Sequence, residues 1–202
     1  MDKTILKPPS LLLHSCCAPC SASVLEHLRE QFFITVFFYN PNITERAEYE
    51  KRRDEQLRLL AIMNGSNGVI EGAYVSPGNA GILPAKHPIS YLEGDHDSAA
   101  FEKMARGLEN EPEGGLRCYH CYELRLGETA RMAASGGFGC FTTTLSVSPK
   151  KKATKINEIG AAFPLYLPAD FKKKDGFKRS MELSKAYELY RQNFCGCEYS
   201  RG

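Results

Sequence analysis

Leu11-Leu12-Leu13-His14-Ser15-Cys16-Cys17-Ala18-Pro19-Cys20 is the stretch from which the architecture follows. Three leucines in succession, closed by the turn His14-Ser15-Cys16-Cys17, read as a short buried strand. Pro19 suits the first turn of a helix, where a missing N–H costs nothing, and Val24, Leu25 and Leu28 then supply one apolar stripe. A strand running straight into a helix sets an α/β pattern, and the rest of the chain repeats it.

Residues 32–39 are aromatic and β-branched and stop at Asn40-Pro41-Asn42, which makes them a second strand. Residues 45–63 form a charged amphipathic helix that Asn42 or Thr44 could cap. A third strand is expected over 69–75, followed by a Pro- and Gly-rich loop over 76–94. Helices are expected over 98–109 and 118–134, with Gly114-Gly115 as the break. Residues 139–145 and 165–167 read as buried strands around a helix over 150–162, and 177–194 as a last helix. The expected architecture is a single α/β domain over 1–202, with a mainly parallel, Rossmann-like (HUP-type) sheet flanked by helices. Residues 76–137 break the alternation and read as a loop and helical insertion. In open parallel sheets ligands gather beyond the carboxyl ends of strands, so Cys16-Cys17, Tyr39-Asn40 and residues 142–148 should share one rim.

The chain has 202 residues, 43% of them hydrophobic, enough for a full core, so a metal would serve chemistry more than stapling. No run approaches the roughly 18 apolar residues of a membrane helix, and the opening MDKTILKPPS has no signal core. The expected location is the cytoplasm, with no membrane partner.

Eight cysteines in that compartment call for an explanation other than structural disulfides. They cluster as Cys16, Cys17 and Cys20, then Cys118 and Cys121, then Cys195 and Cys197; only Cys140 stands alone, as an inert thiol in an apolar run. Adjacent cysteines at a strand-to-helix junction gain from unpaired N–H groups and the helix dipole, both of which favour thiolate. Cys118-Tyr119-His120-Cys121 adds two sulfurs one helical turn apart. Four thiolates from two pairs can hold tetrahedral zinc or an iron–sulfur cluster. A vicinal pair strains to reach one small ion, whereas a cubane offers neighbouring sulfurs different irons, which favours the cluster. Cys195-Gly196-Cys197 could close a small strained disulfide of the easily reduced kind, ligate a metal, or stay reduced.

These residues resemble a known family. Residues 12–20, Tyr39-Asn40-Pro41-Asn42-Ile43, Arg117-Cys118-Tyr119-His120-Cys121, residues 141–150 and Cys195-Gly196-Cys197-Glu198-Tyr199-Ser200 look like the cobalamin-independent epoxyqueuosine reductases (QueH), in order from about residue 11 to 200. The resemblance implies reductive removal of the epoxide oxygen from epoxyqueuosine in tRNA, with an unidentified electron donor. It implies a [4Fe–4S] cluster on Cys16, Cys17, Cys118 and Cys121, and a redox-active pair, Cys195 and Cys197. It also implies one additional iron, for which Cys20 is the candidate ligand. His14 and His120 adjoin the cluster cysteines as candidate proton donors or structural histidines; Tyr39 and Asn40 lie at a strand end; Asp170 and Asp175 read as surface charge.

Charge is unevenly spread. Residues 140–202 hold 12 basic and 6 acidic side chains against a net +2 for the whole chain. The lysines around 150–155 and 172–179 suit a polyanion such as RNA. A zinc-stabilised RNA-binding module would use the same cysteines and lysines but leaves Cys195-Gly196-Cys197 unexplained. A thiolase-like ATP enzyme is disfavoured, because the turn after the first strand is not a glycine-rich phosphate loop.

Overall fold

The computed structural model describes residues 8–65 and 87–201. Four strands form one all-parallel sheet: β1 (Ser10–His14), β2 (Phe33–Phe38), β3 (Ser90–Glu93) and β4 (Cys140–Thr143), in the order β3-β2-β1-β4. The register pairs Leu12 with Thr35 on one side and with Phe141 on the other. Helices α1 (Ala18–Leu28), α2 (Arg46–Met63), α3 (Ser98–Ala105), α4 (Leu116–Ser135), α5 (Ala153–Gly160) and α6 (Gly176–Ala186) flank it. The three leucines of β1 are fully buried because both faces of the sheet are covered. Leu11 and Leu13 pack among Val24, Leu25, Leu59 and Leu183, while Leu12 points the other way, into Tyr122, Leu126 and Phe141. Among the described residues no helix is long and apolar enough to cross a membrane.

Several boundaries differ from those expected. The strand expected over 69–75 lies outside the described residues. The end of the expected loop is β3, a four-residue edge strand that pairs in parallel with β2 through Val36 and Tyr91. The cap of α2 is Glu45, not Asn42 or Thr44. The strand expected over 165–167 reduces to one bridge between Phe141 and Tyr166, because Leu165 takes a left-handed φ of 68° and turns its side chain outward. The last helix stops at Ala186, where Arg58 Nη2 donates to the carbonyls of Tyr187 and Glu188 (both 2.9 Å).

Gly160, at the end of α5, carries the Tyr166 ring directly against its backbone. A Cβ there would stand 2.3 Å from Tyr166 Cζ. Tyr166 is further held by its hydroxyl, which donates to Asn157 Oδ1 at 2.8 Å. Gly160→Ala is therefore expected to destabilise the fold by about 1–3 kcal/mol through overpacking, read as a lower urea midpoint at unchanged slope.

Candidate active site

The site lies beyond the carboxyl end of β1. Ser15 N–H still donates to Phe37 O (2.9 Å), so the turn stays attached to the sheet before the chain enters α1. Beneath it Ser15 Oγ and Ser21 Oγ donate to Gln56 Oε1 (2.7 and 2.9 Å), a buried polar knot that fixes the turn to α2. Cys17 is the residue before α1 and is extended, so the first amides and the positive end of the helix face the thiols.

The sulfurs of Cys16, Cys17 and Cys20 all lie within 4.8 Å of one another, a trio that can hold a metal ion. Cys16 and Cys17 Sγ are 3.8 Å apart. Hydrogen bonds from Cys17 and Cys20 pull the Cys16 pKa well below the ordinary thiol value, and Arg125 and Lys151 add to this. The bond to Cys16, with burial, pushes Cys17 up to about 12 and Cys20 well upward. Cys16 therefore takes the first negative charge of the trio.

Cys118 and Cys121 come from the first turns of α4 and lie outside that trio. Gly114 N–H donates to Cys118 Sγ at 3.2 Å, and burial pushes Cys121 up to about 12. Arg125 follows on the same helix face, one turn beyond Cys121. It is fully buried; its Nη2 donates to Asn40 Oδ1 (2.6 Å) and its Nε to His14 Nε2 (3.3 Å). The same His14 Nε2 stands 3.1 Å from the Tyr39 carbonyl, and Nδ1 lies 2.7 Å from Thr143 Oγ1, so the ring is held through both nitrogens. Burial, then the Arg125 charge, lowers the His14 pKa to about 3, which makes it a neutral strut. Arg125 Nη1 is buried with no partner among the described residues. The Arg125 charge acts on Cys121, Cys16 and Cys195 together, so thiols from three distant segments share one cation.

A cavity of about 190 Å³ opens here, with Cys16, Cys20, Cys195, Arg125, Lys151 and Gln192 in its wall. Burial alone would lower the Lys151 pKa, but Cys195, Cys16, Tyr122 and Cys20 together hold it above the ordinary lysine value. Its loop is pinned by Lys172, whose Nζ donates to the carbonyls of Ser146 and Lys151 (both 2.9 Å). The lysine runs thus divide: Lys151 and Lys172 build the site, Lys150 pairs with Glu113 (3.7 Å) and Lys155 with Glu158 (2.8 Å). Lys152, Lys173, Lys174 and Lys178 are exposed and make no ion pair among the described residues.

Cys195 faces this cavity, whereas Cys197 is buried with Phe101, Ala105 and Cys121. All eight cysteines are free thiols here. Tyr39 stacks on Phe37 with ring centroids 5.9 Å apart, and Asn40 donates to Ser15 O at 2.9 Å, so both shape the rim. His120 is exposed beside Glu123, Asp170 lies 3.6 Å from Lys172, and Asp175 precedes α6 in a left-handed conformation. Cys140 is half-buried at the edge of the core, its pKa raised by burial. Sequence reasoning did not single out Arg125, Gln192 or Arg52; the only advance sign of Arg125 is its spacing behind Cys118 and Cys121.

The donor set fits a metal group: three clustered sulfurs, with a buried guanidinium whose charge acts on Cys16, Cys121 and Cys195. A parallel α/β sheet with thiols and cations on its carboxyl rim defines a candidate metal-binding cysteine centre. The sequence model of the epoxyqueuosine reductase QueH family matches residues 11–202, and the chain belongs to that family. It is 38% identical over 197 residues to epoxyqueuosine reductase QueH of Streptococcus pyogenes serotype M1, covering 95% of this chain and 70% of that one. The Staphylococcus epidermidis protein of the same name is also 38% identical, over 95% of this chain and 76% of its own. That of Thermotoga maritima is 30% identical, over 95% and 90%.

Proposed function

We propose that this chain reduces epoxyqueuosine to queuosine in tRNA, in the cytoplasm, with an iron–sulfur centre held by Cys16, Cys17, Cys118 and Cys121. The observation that carries the reading is that Cys16, Cys20 and Cys195 line one cavity with the cations Arg125 and Lys151. Four thiolates on one zinc, with bonds of about 2.3 Å, must crowd together. Cys118 and Cys121 stand outside the compact trio, a spread that suits a polynuclear group. When bound, such a cluster passes electrons singly, and a further iron on Cys20 offers a Lewis acid.

The residues account for the remaining needs. Removing an epoxide oxygen as water, leaving an alkene, consumes two electrons and two protons. Cys195 and Cys197 together hold that pair as a dithiol and release it on forming a disulfide, which an external donor then reduces. Lys151 and Arg125 line the cavity as cations where negative charge develops on the departing oxygen. The test is to incubate anaerobic protein with epoxyqueuosine-containing tRNA and a reductant and to weigh the nucleosides. Loss of one oxygen from the modified base is expected; unchanged epoxyqueuosine contradicts the proposal.

The exposed lysines hold the tRNA backbone. Exchanging Lys152, Lys173, Lys174 and Lys178 for Gln is expected to weaken tRNA binding and to flatten the plot of log affinity against log salt. Each phosphate that is no longer neutralised lowers that slope by about 0.7–0.9. Equal slopes for variant and parent would make these lysines mere solvated surface.

A further inference from the structure

We propose that Arg52 is the positioning residue for the Cys195/Cys197 pair: its buried guanidinium grips the backbone of the Cys195-Gly196 turn and holds the pair in its dithiol arrangement. The inference rests on the reading of that pair as the two-electron store. Arg52 lies on α2, far in sequence from the turn, and is 1% exposed. Its Nε donates to Glu48 Oε1 at 2.6 Å, which aims the fork. Nη1 then donates to Cys195 O at 3.0 Å and Nη2 to Phe194 O at 3.3 Å, with the Phe194 ring 5.0 Å away. Asn42 Nδ2 reaches the same Cys195 carbonyl at 3.4 Å.

The turn is seated closely enough that only glycine fits its centre. Gly196 has φ +118°, and a Cβ there would stand 2.7 Å from Ile43 Cγ1 and 3.1 Å from Arg52 Nη1. On the far side Ser200 Oγ accepts from Cys195 N–H (3.1 Å) and donates to Cys197 O (2.8 Å). So held, Cys195 looks into the cavity with Cys16 and Cys20, while Cys197 sits in the apolar cluster with Phe101 and Cys121.

Oxidation of the pair, two thiols giving one disulfide, two electrons and two protons, must bring the sulfurs to about 2.05 Å. With one residue between them, the rotation falls on Gly196 and on the Cys195 carbonyl that Arg52 holds. Forming the disulfide strains or breaks those hydrogen bonds, and reduction restores them. Arg52 therefore favours the dithiol and sets how readily the pair gives its electrons to the epoxide.

The experiment compares wild type, Arg52→Lys, Arg52→Met and Asn42→Ala as anaerobic full-length holoprotein. Each is equilibrated in graded mixtures of reduced and oxidised dithiothreitol and acid-quenched, and free thiols at Cys195 and Cys197 are counted by alkylation and mass. Cys195→Ser marks the background. Arg52→Met is expected to shift the equilibrium toward disulfide about tenfold, the equivalent of one hydrogen bond from a charged donor. Arg52→Lys should fall between, since one ammonium can keep a carbonyl. Asn42→Ala should shift it less and in the same direction, and carries the test if Arg52→Met fails to fold. Equilibria within twofold of wild type in the variants, with the pair still oxidising, overturn the clamp and leave the two-electron store standing. A wild type that forms no Cys195–Cys197 disulfide at any ratio overturns both.

Discussion

Arg125→Met should lower turnover of epoxyqueuosine-containing tRNA by about 100-fold or more and destabilise the protein by about 3 kcal/mol. The stability loss arises because the change removes the donor to Asn40 Oδ1, leaving a buried acceptor unpaired, together with the Nε contact to His14 Nε2. Such an orphan costs about 1–3 kcal/mol, which the extra apolar packing of methionine offsets in part. The activity loss has a separate origin. Cys16, Cys121 and Cys195 lose the cation they share, and the Arg125 side chain disappears from the cavity wall. Arg125→Lys keeps the charge but cannot reach His14, Asn40 and the thiols at once, so it should recover stability less well than activity. Urea unfolding of the anaerobic protein and mass analysis of the tRNA separate the two effects.

Replacing Cys16, Cys17, Cys118 or Cys121 with Ala should abolish visible absorbance and bring turnover to background. A cluster that loses one thiolate keeps an iron open to solvent. Cys197 packs in one apolar cluster with Cys121, and Cys20 lies within 4.8 Å of Cys16 and Cys17. Cys140→Ala should keep both colour and turnover, since that thiol lies at the far end of β4 from the rim. Colour retained in the Cys118→Ala or Cys121→Ala variant would remove α4 from the ligand set.

The sheet was legible where strands are long and buried on both faces. Leu11-Leu12-Leu13 and the aromatic run of β2 announce themselves because no solvent face dilutes them. β3 was hidden, being four residues at the sheet edge with Ser90 and Glu93 exposed. The end of α6 was misplaced because a distant arginine, Arg58, supplies its stop. At the site the fold brings Cys20 together with Cys16 and Cys17, whereas the set expected from the sequence joined Cys118 and Cys121 to that pair. The arginines were not legible. An Arg on a charged helix ordinarily faces water, and nothing local marks Arg52 or Arg125 as buried. Lys151 and Lys172 look like members of solvated runs, yet tertiary packing turns one toward the thiols and makes the other its brace. Charge pattern reads net sign along the chain, and only the fold decides which charges meet.

The metal and sulfide content of wild-type protein purified without oxygen decides whether the cysteines hold a cluster or a single ion. Iron and acid-labile sulfide are expected together, in equal amounts for the cluster alone and with iron in excess where Cys20 holds a further iron, with a broad visible absorbance that dithionite bleaches and no stoichiometric zinc. Stoichiometric zinc with neither iron nor sulfide would contradict the iron–sulfur centre and leave a zinc-stabilised RNA-binding protein in its place.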